Sequence, residues 1–600
     1  MNRKVIFLII VVIVAAVAWK PLSKLYKEIH VALPDYPQTK ATVWLDQKLS
    51  KQQSGWFYHA DQGTRTFHIP YEWFAALERP VVSPLLWSTV GDFNDPTYLN
   101  KYGFIIDTIE PGKPSLPIGF AHGGPMLQDS GEPWLNPQTR KAMTGIGLTC
   151  AACHTGSFTY KDKTVVIDGG PALIDLYKLT QGLGVALLFT RYAPGRFDRF
   201  ADRVLGADAS SDARIALKAQ LDGVLKQYKE IKDLEDKAGG TYEGYGRLDA
   251  LNRIGNQVFS LDLKNPQNYA AHAAPVHFPR IWDAPWFTWV QYDASIMQPM
   301  IRNAGEAMGV TAELNLTNDK KPLFSSSVQV QTLYEMEQMI TGNQPTAESG
   351  FTGLASPKWP KDILPPVDDK LAAEGATLYA RHCRGCHLPP VGTKEFFESK
   401  RWLPPNTVGL RLFDLELIDL KHIGTDPGQA EGLATRTVAV PPNLGITTDK
   451  FGFALGEMVE KTVTAWYDSQ KPPVPAAERE RINGDRPNKI QAPAAYKVRP
   501  LNGIWATPPY LHNGSVPTID ALLSPVSERP TKFYLGNREY DPVKLGYHTE
   551  ELANGFEFDT SRPGNSNRGH EFNDGGGDGV IGQKLSPEER KALIEFIKTL

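Results

Sequence analysis

Cysteine is scarce: only four occur among 600 residues, which excludes a scaffold stapled by several disulfides. Charge of one sign is also missing. The 64 basic and 67 acidic side chains leave a net charge of -3, so no global field draws the chain to nucleic acid or to an anionic membrane. Histidine and methionine are absent over long stretches. After His154 the next histidine is His272 and the next methionine Met297, and no methionine lies beyond Met458. With 41% hydrophobic and 10% aromatic residues, the chain has ample material for a buried core and for more than one domain.

A short basic start, Met1 to Lys4, precedes the apolar run Val5 to Trp19. Fifteen residues fall short of the roughly 20 that span a bilayer, and Ala16-Val17-Ala18 offers a small-x-small cleavage site. The run predicts export to the periplasm or beyond. Trp19 and the basic residues Lys20, Lys24 and Lys27 equally suit an uncleaved anchor in the inner membrane, so cleavage and anchoring both remain open.

The four cysteines fall in two pairs, Cys150-Ala-Ala-Cys153-His154 and Cys383-Arg-Gly-Cys386-His387. Both read C-x-x-C-H, the pattern of c-type haem attachment. Two thiols at this spacing reach the two vinyl groups of one porphyrin, and the adjacent imidazole reaches its iron. A redox C-x-x-C motif does not need the histidine, and a four-cysteine zinc site would have to join pairs from distant parts of the chain. The expectation is two covalent haems c, with His154 and His387 as proximal ligands.

The rest of the sequence organises around these motifs. Ala172 to Arg191 and Ser210 to Ala238 carry helical periodicity, the second stopping at Gly239-Gly240. Pro275 to Met308 holds the densest aromatic stretch, including Phe278, Trp282, Trp286, Phe287, Trp289 and Tyr292, suited to core packing, to a haem wall or to an electron relay. Ser349 to Asp369, rich in Pro, Gly and Lys, reads as a linker. Beyond it a helix containing Leu371, Leu378 and Tyr379 runs into the second motif, and Ser586-Pro-Glu-Glu589 opens a closing helix with a capping box. The expected division is a signal or anchor over 1–30, an amino-terminal haem domain over 31–348, a linker over 349–369 and a cytochrome c domain over 370–600. The expected fold class is mainly α, two cytochrome c-like haem domains with long loops and little β structure.

The segment Arg499-Pro-Leu-Asn-Gly-Ile-Trp-Ala-Thr-Pro-Pro-Tyr-Leu-His-Asn-Gly-Ser-Val-Pro-Thr518 resembles the signature of the bacterial dihaem cytochrome c peroxidase superfamily. Its continuation through Ser527-Glu-Arg-Pro530, Gly536-Asn-Arg-Glu539 and Tyr540-Asp-Pro542 is most similar to the branch containing rubber oxygenase and unsaturated fatty acid dioxygenases. A weaker resemblance lies at Gln291-Tyr-Asp-Ala-Ser295 and Arg302-Asn-Ala-Gly-Glu-Ala-Met308. The resemblance implies that Tyr292 stands between the haems, where tryptophan is usual, and that Glu306 is the acid-base residue over the reactive haem. It also implies a distal ligand for the second haem between the signature and the closing helix. His548 and His570 are the candidates there, and His570 is favoured because the Gly-rich stretch Gly564 to Phe572 can carry it to the porphyrin; His512 is expected to make structural hydrogen bonds. The early distal histidine of the peroxidases has no counterpart, so the first iron is expected to be open.

The expected activity is therefore enzymatic: a haem-dependent dioxygenase using O2 on carbon-carbon double bonds of a hydrophobic substrate, polyisoprene or an unsaturated fatty acid, at the first haem. Reduction of hydrogen peroxide with electrons from a small periplasmic donor is the alternative reaction, and non-catalytic electron transfer the alternative class. A calcium ion at the domain interface is a further feature of related peroxidases, for which the sequence names no ligands.

Overall fold

The computed structural model describes residues 29–81, 88–109, 116–128 and 130–600. The export run Val5 to Trp19 lies outside them, and among the described residues no helix is long and apolar enough to cross a membrane.

The first haem motif is set into β structure. Strand β1 (Ala41–Trp44) pairs in parallel with β3 (Lys163–Asp168), which pairs antiparallel with β2 (Thr155–Tyr160). The β2–β3 turn is Lys161-Asp162, with Lys161 in the left-handed region at φ 56°. Helix α1 (Lys51–His59) starts at a capping box between Ser50 and Gln53 and packs against the one-turn helix α2 (Cys150–Cys153). Thr155, Thr159, Thr164, Val165, Val166 and Ile167 supply the β-branched content that a pleated, buried hairpin favours.

This overturns the expectation of a mainly α protein with little β structure. Of the described residues 37% are helical and 14% strand, with many short strands and no closed sheet among them, a mixed α/β composition. The strands are short and lie next to turns. They leave a weak trace in a reading that follows long helical periodicity.

Helix α3 (Leu176–Tyr192) and helix α4 (Ser211–Ala238) come next. In α4 the Ser210 hydroxyl accepts from the Ala213 N–H at 3.2 Å, and Ala213, Leu217, Leu221 and Val224 form the buried stripe. On its exposed face Lys229–Asp233 and Lys232–Asp236 pair at 2.5 and 2.9 Å, contacts worth only tenths of a kcal/mol at such exposure. Two-residue strands β4 (Arg247–Leu248) and β5 (Val276–His277) then pair beside the first motif, and helix α5 (Pro299–Gly309) passes along it.

Helix α6 (Asp369–His382), capped by Asp368, delivers the second motif, whose last residues form the single turn α7 (Arg384–His387). Helix α8 (Phe451–Ser469) packs on α5. Helix α9 (Pro587–Ile597), capped by Ser586 and Glu589 with Pro587 at its first position, crosses α6. At the crossing the Tyr379 and Phe596 rings lie 5.1 Å apart, and Gly375 faces the α9 backbone. One core joins Phe57 and Val165 near the first motif to Trp282, Trp505 and Leu593. The Pro-rich stretch after residue 349 contributes Leu354, Trp359 and Leu364 to it.

A Cβ at Gly375 would lie 2.1 Å from the Ala592 carbonyl oxygen, and backbone cannot swing aside as a side chain does. Gly375→Ala is expected to cost about 1–3 kcal/mol through overpacking. Chemical denaturation of the haem-loaded protein measures this; an unchanged midpoint would show that the two helices separate freely.

Candidate functional site: two C-x-x-C-H turns and the carbonyls that orient them

At the first motif the His154 N–H closes the turn onto the Cys150 carbonyl at 2.9 Å, and its ring Nδ1 lies 2.9 Å from the Pro279 carbonyl oxygen. A carbonyl only accepts, so Nδ1 carries the proton and Nε2 keeps its lone pair for a metal. Burial pushes the imidazole pKa down to about 4, so the ring is neutral at physiological pH, the state that ligates. The second motif repeats the arrangement. The His387 N–H donates to the Cys383 carbonyl at 2.8 Å, and Nδ1 lies 2.8 Å from the Arg499 carbonyl oxygen.

The two acceptor segments are tied to each other. The Arg280 guanidinium donates to the Pro500 carbonyl, while Arg499 donates to the Arg280 and Trp282 carbonyls at 2.7 and 3.2 Å. The Trp282 indole N–H reaches the Asn502 carbonyl at 3.1 Å, and the Asn502 amide donates to Asp283 at 2.6 Å. The carbonyls that orient the His154 and His387 rings therefore sit on one cross-linked unit.

The structure brings His570 to His387, with ring centres 6.1 Å apart. With metal–imidazole nitrogen bonds of about 2 Å and each nitrogen roughly 1 Å from its ring centre, an ion held by two imidazoles sets the centres roughly 6 Å apart. The His570 Nδ1 is shut off from solvent and has no hydrogen-bond partner among the described residues. Its pKa is pushed down to about 3, first by burial and then by His387. The loop is fixed by Arg529, which donates to the Asn567, Gly569 and His570 carbonyls at 2.6, 2.9 and 2.9 Å. Gly569 at φ 72° passes so close to Gly424 that an added Cβ would lie 2.3 Å from its carbonyl carbon. His548, by contrast, is exposed and pairs with Glu550 at 3.4 Å. The residues fit a haem held between His387 and His570, with Cys383 and Cys386 as its thioether partners.

His154 opens onto a cavity with Cys150 and Cys153, walled by aliphatic side chains including Ile254, Ile301, Leu433, Leu455 and Ile490. Tyr292 and Glu306 line it too. The Gln291 amide donates to Glu306 at 2.9 Å, and burial raises the Glu306 pKa against the opposing pull of Arg302. Burial pushes the Tyr292 phenol up to about 12, so it stays protonated. Its ring lies 6.0 Å from His512, which stacks on Tyr496 at 4.1 Å. The aromatic stretch divides: Trp282, Trp286 and Phe287 are buried in cores, Phe278 is buried in a core and also borders the first cavity, and Tyr292 lines that cavity. No cluster of three or more His, Cys, Asp or Glu side chains suited to a metal ion occurs among the described residues, and none marks a calcium site.

Sequence reasoning missed Arg280, Lys497 and His277. All three border the cavities beside His154, and the His277 Nε2 is buried without a partner. His277 and Arg280 lie three residues apart and Lys497 far from both, and nothing local marks any of them as more than an ordinary basic residue.

Residues 495–534 match the family model described as "RoxA-like, cytochrome c-like". The matched stretch contains Arg499, whose carbonyl orients His387, and a cytochrome c-like domain implies covalently bound haem c. The chain is 58% identical over 574 residues to "Uncharacterized protein y4iJ" of Sinorhizobium fredii (strain NBRC 101917 / NGR234), covering 95% of each, and it belongs to the same family as that protein. It is also 24% identical over 343 residues to "Uncharacterized protein y4iM" of the same strain, across 54% of this chain and 63% of that one.

Replacement of His570 by alanine is expected to convert the second haem from low to high spin. An EPR spectrum that keeps its full low-spin signal would remove His570 from the iron.

Proposed function

We propose that the protein is a dihaem c-type oxidoreductase that uses O2 on a carbon-carbon double bond of a hydrophobic substrate at the first motif. The observation that carries this reading is the aliphatic cavity at His154, lined also by Glu306 and Tyr292. A haem bound there supplies O2 activation. The chain supplies the rest. Cys150 and Cys153 attach the group, and His154, held by Pro279, presents Nε2 to it. Ile254, Ile301, Leu433 and Leu455 exclude water and receive an apolar chain. Glu306, anchored by Gln291 and with its pKa raised by burial, stands where it can take or give a proton beside the cavity.

At the second motif His387 and His570 would both hold the iron of a haem, an arrangement that suits electron storage rather than substrate binding. The proposal keeps the division into haem domains over 31–348 and 370–600 joined by 349–369. It places the protein in the periplasm or outside the cell, where a small redox donor reaches it and the amino-terminal segment serves as signal or anchor. Hydrogen peroxide reduction is the second reading, favoured by one observation, the buried acid Glu306 beside His154.

The test records EPR and absorption spectra of the haem-loaded protein with and without oleate or a short polyisoprene, while O2 is followed. One high-spin iron perturbed by the alkene, with O2 uptake and no stoichiometric reductant, is the expected result. Peroxide turnover with a reduced donor and no O2 uptake would replace it by the peroxidase, and two unresponsive low-spin irons by a carrier.

A further inference from the structure

A second cavity adjoins the aliphatic one and shares Cys150, His154, Tyr292 and Glu306 with it. It adds three cationic residues, Arg280, Lys497 and Arg499, to Arg302, which lines both cavities. Of these, Arg302 pairs with a carboxylate, Glu337. The hydrogen bonds of Arg280 and Arg499 go to backbone carbonyls, and the Nε of each is buried without a partner. The Lys497 backbone N–H donates to the Tyr292 carbonyl at 2.9 Å, but its ammonium has no hydrogen bond or ion pair among the described residues.

Acids lie nearby, but among the described residues none forms an ion pair with Arg280, Lys497 or Arg499. Asp283 and Asp293 are fully enclosed, and burial pushes each up to about 6. Neither Asp293 oxygen finds a hydrogen-bond partner. Glu306 is raised and occupied by Gln291. Buried cations are normally paired, because a lone charge out of water costs several kcal/mol. Burial, with Arg499, Arg302 and Arg280 nearby, depresses the Lys497 pKa; an anion in the cavity would oppose that shift.

We infer that Arg280, Arg302, Lys497 and Arg499 form a carboxylate-binding site beside the first haem cavity. Two sources supply that chemistry: a haem propionate, or the carboxylate of a ligand whose apolar chain lies in the aliphatic cavity. The continuity of the two cavities through Tyr292 and Glu306 lets one amphipathic molecule occupy both. The inference rests on haem attachment at the first motif and not on O2 chemistry, so its test involves no turnover.

The test compares haem-loaded wild type with Lys497→Met and Lys497→Arg, and with Lys497→Gln should the Met variant lose haem. Oleate and methyl oleate are titrated against the absorption of the first haem, and its midpoint potential is measured without ligand. Loss of about tenfold or more in oleate affinity, with methyl oleate unaffected and binding restored by Arg, assigns the site to a free carboxylate. A lowered ligand-free potential, restored by Arg, with both affinities unchanged, assigns it to a propionate. Unchanged affinities and potential in a folded, haem-loaded Lys497→Met protein overturn the inference.

Discussion

The site depends on one kind of hydrogen bond, a histidine Nδ1–H given to a backbone carbonyl. It fixes the tautomer of His154 through Pro279 and that of His387 through Arg499, and so decides which nitrogen each ring presents. Because the acceptors are main-chain atoms, their positions are set by packing rather than by rotamer choice. That packing is shared. Arg280 and Arg499 reach across to each other's segments, and Trp282 and Asn502 close the same seam, so a shift of one proximal ring must move the support of the other.

The two motifs differ in what faces them. His387 has the buried imidazole of His570 within reach of a shared ion, delivered by a loop that only glycine at 569 lets pass Gly424. His154 has an aliphatic cavity with a buried carboxyl and a buried phenol. The same attachment chemistry is thereby placed in two electrostatic settings, one closed by a second base and one apolar with a cationic margin.

Much of this was legible beforehand because it is local. C-x-x-C-H carries its spacing within five residues, the capping box at Ser586 within four, and the stripe of α4 within one helix. The hairpin of β2 and β3 was less visible, since short strands lack a repeat long enough to stand out, and the mainly α expectation failed there. Lys497 and Arg280 were invisible for another reason. Their meaning comes from lining the same cavity although they are far apart in the chain, and nothing local marks either as more than an ordinary basic residue.

The separation between each proximal histidine and its acceptor also orders events in time. Pro279 lies 125 residues after His154, and Arg499 lies 112 residues after His387. As the chain is synthesised, each C-x-x-C-H turn emerges well before the carbonyl that will hold its ring, and the seam between Arg280 and Arg499 forms later still. Until its carbonyl docks, each C-x-x-C-H turn lacks the contact that orients its ring, so the order of the chain leaves an interval in which the two thiols can be reached.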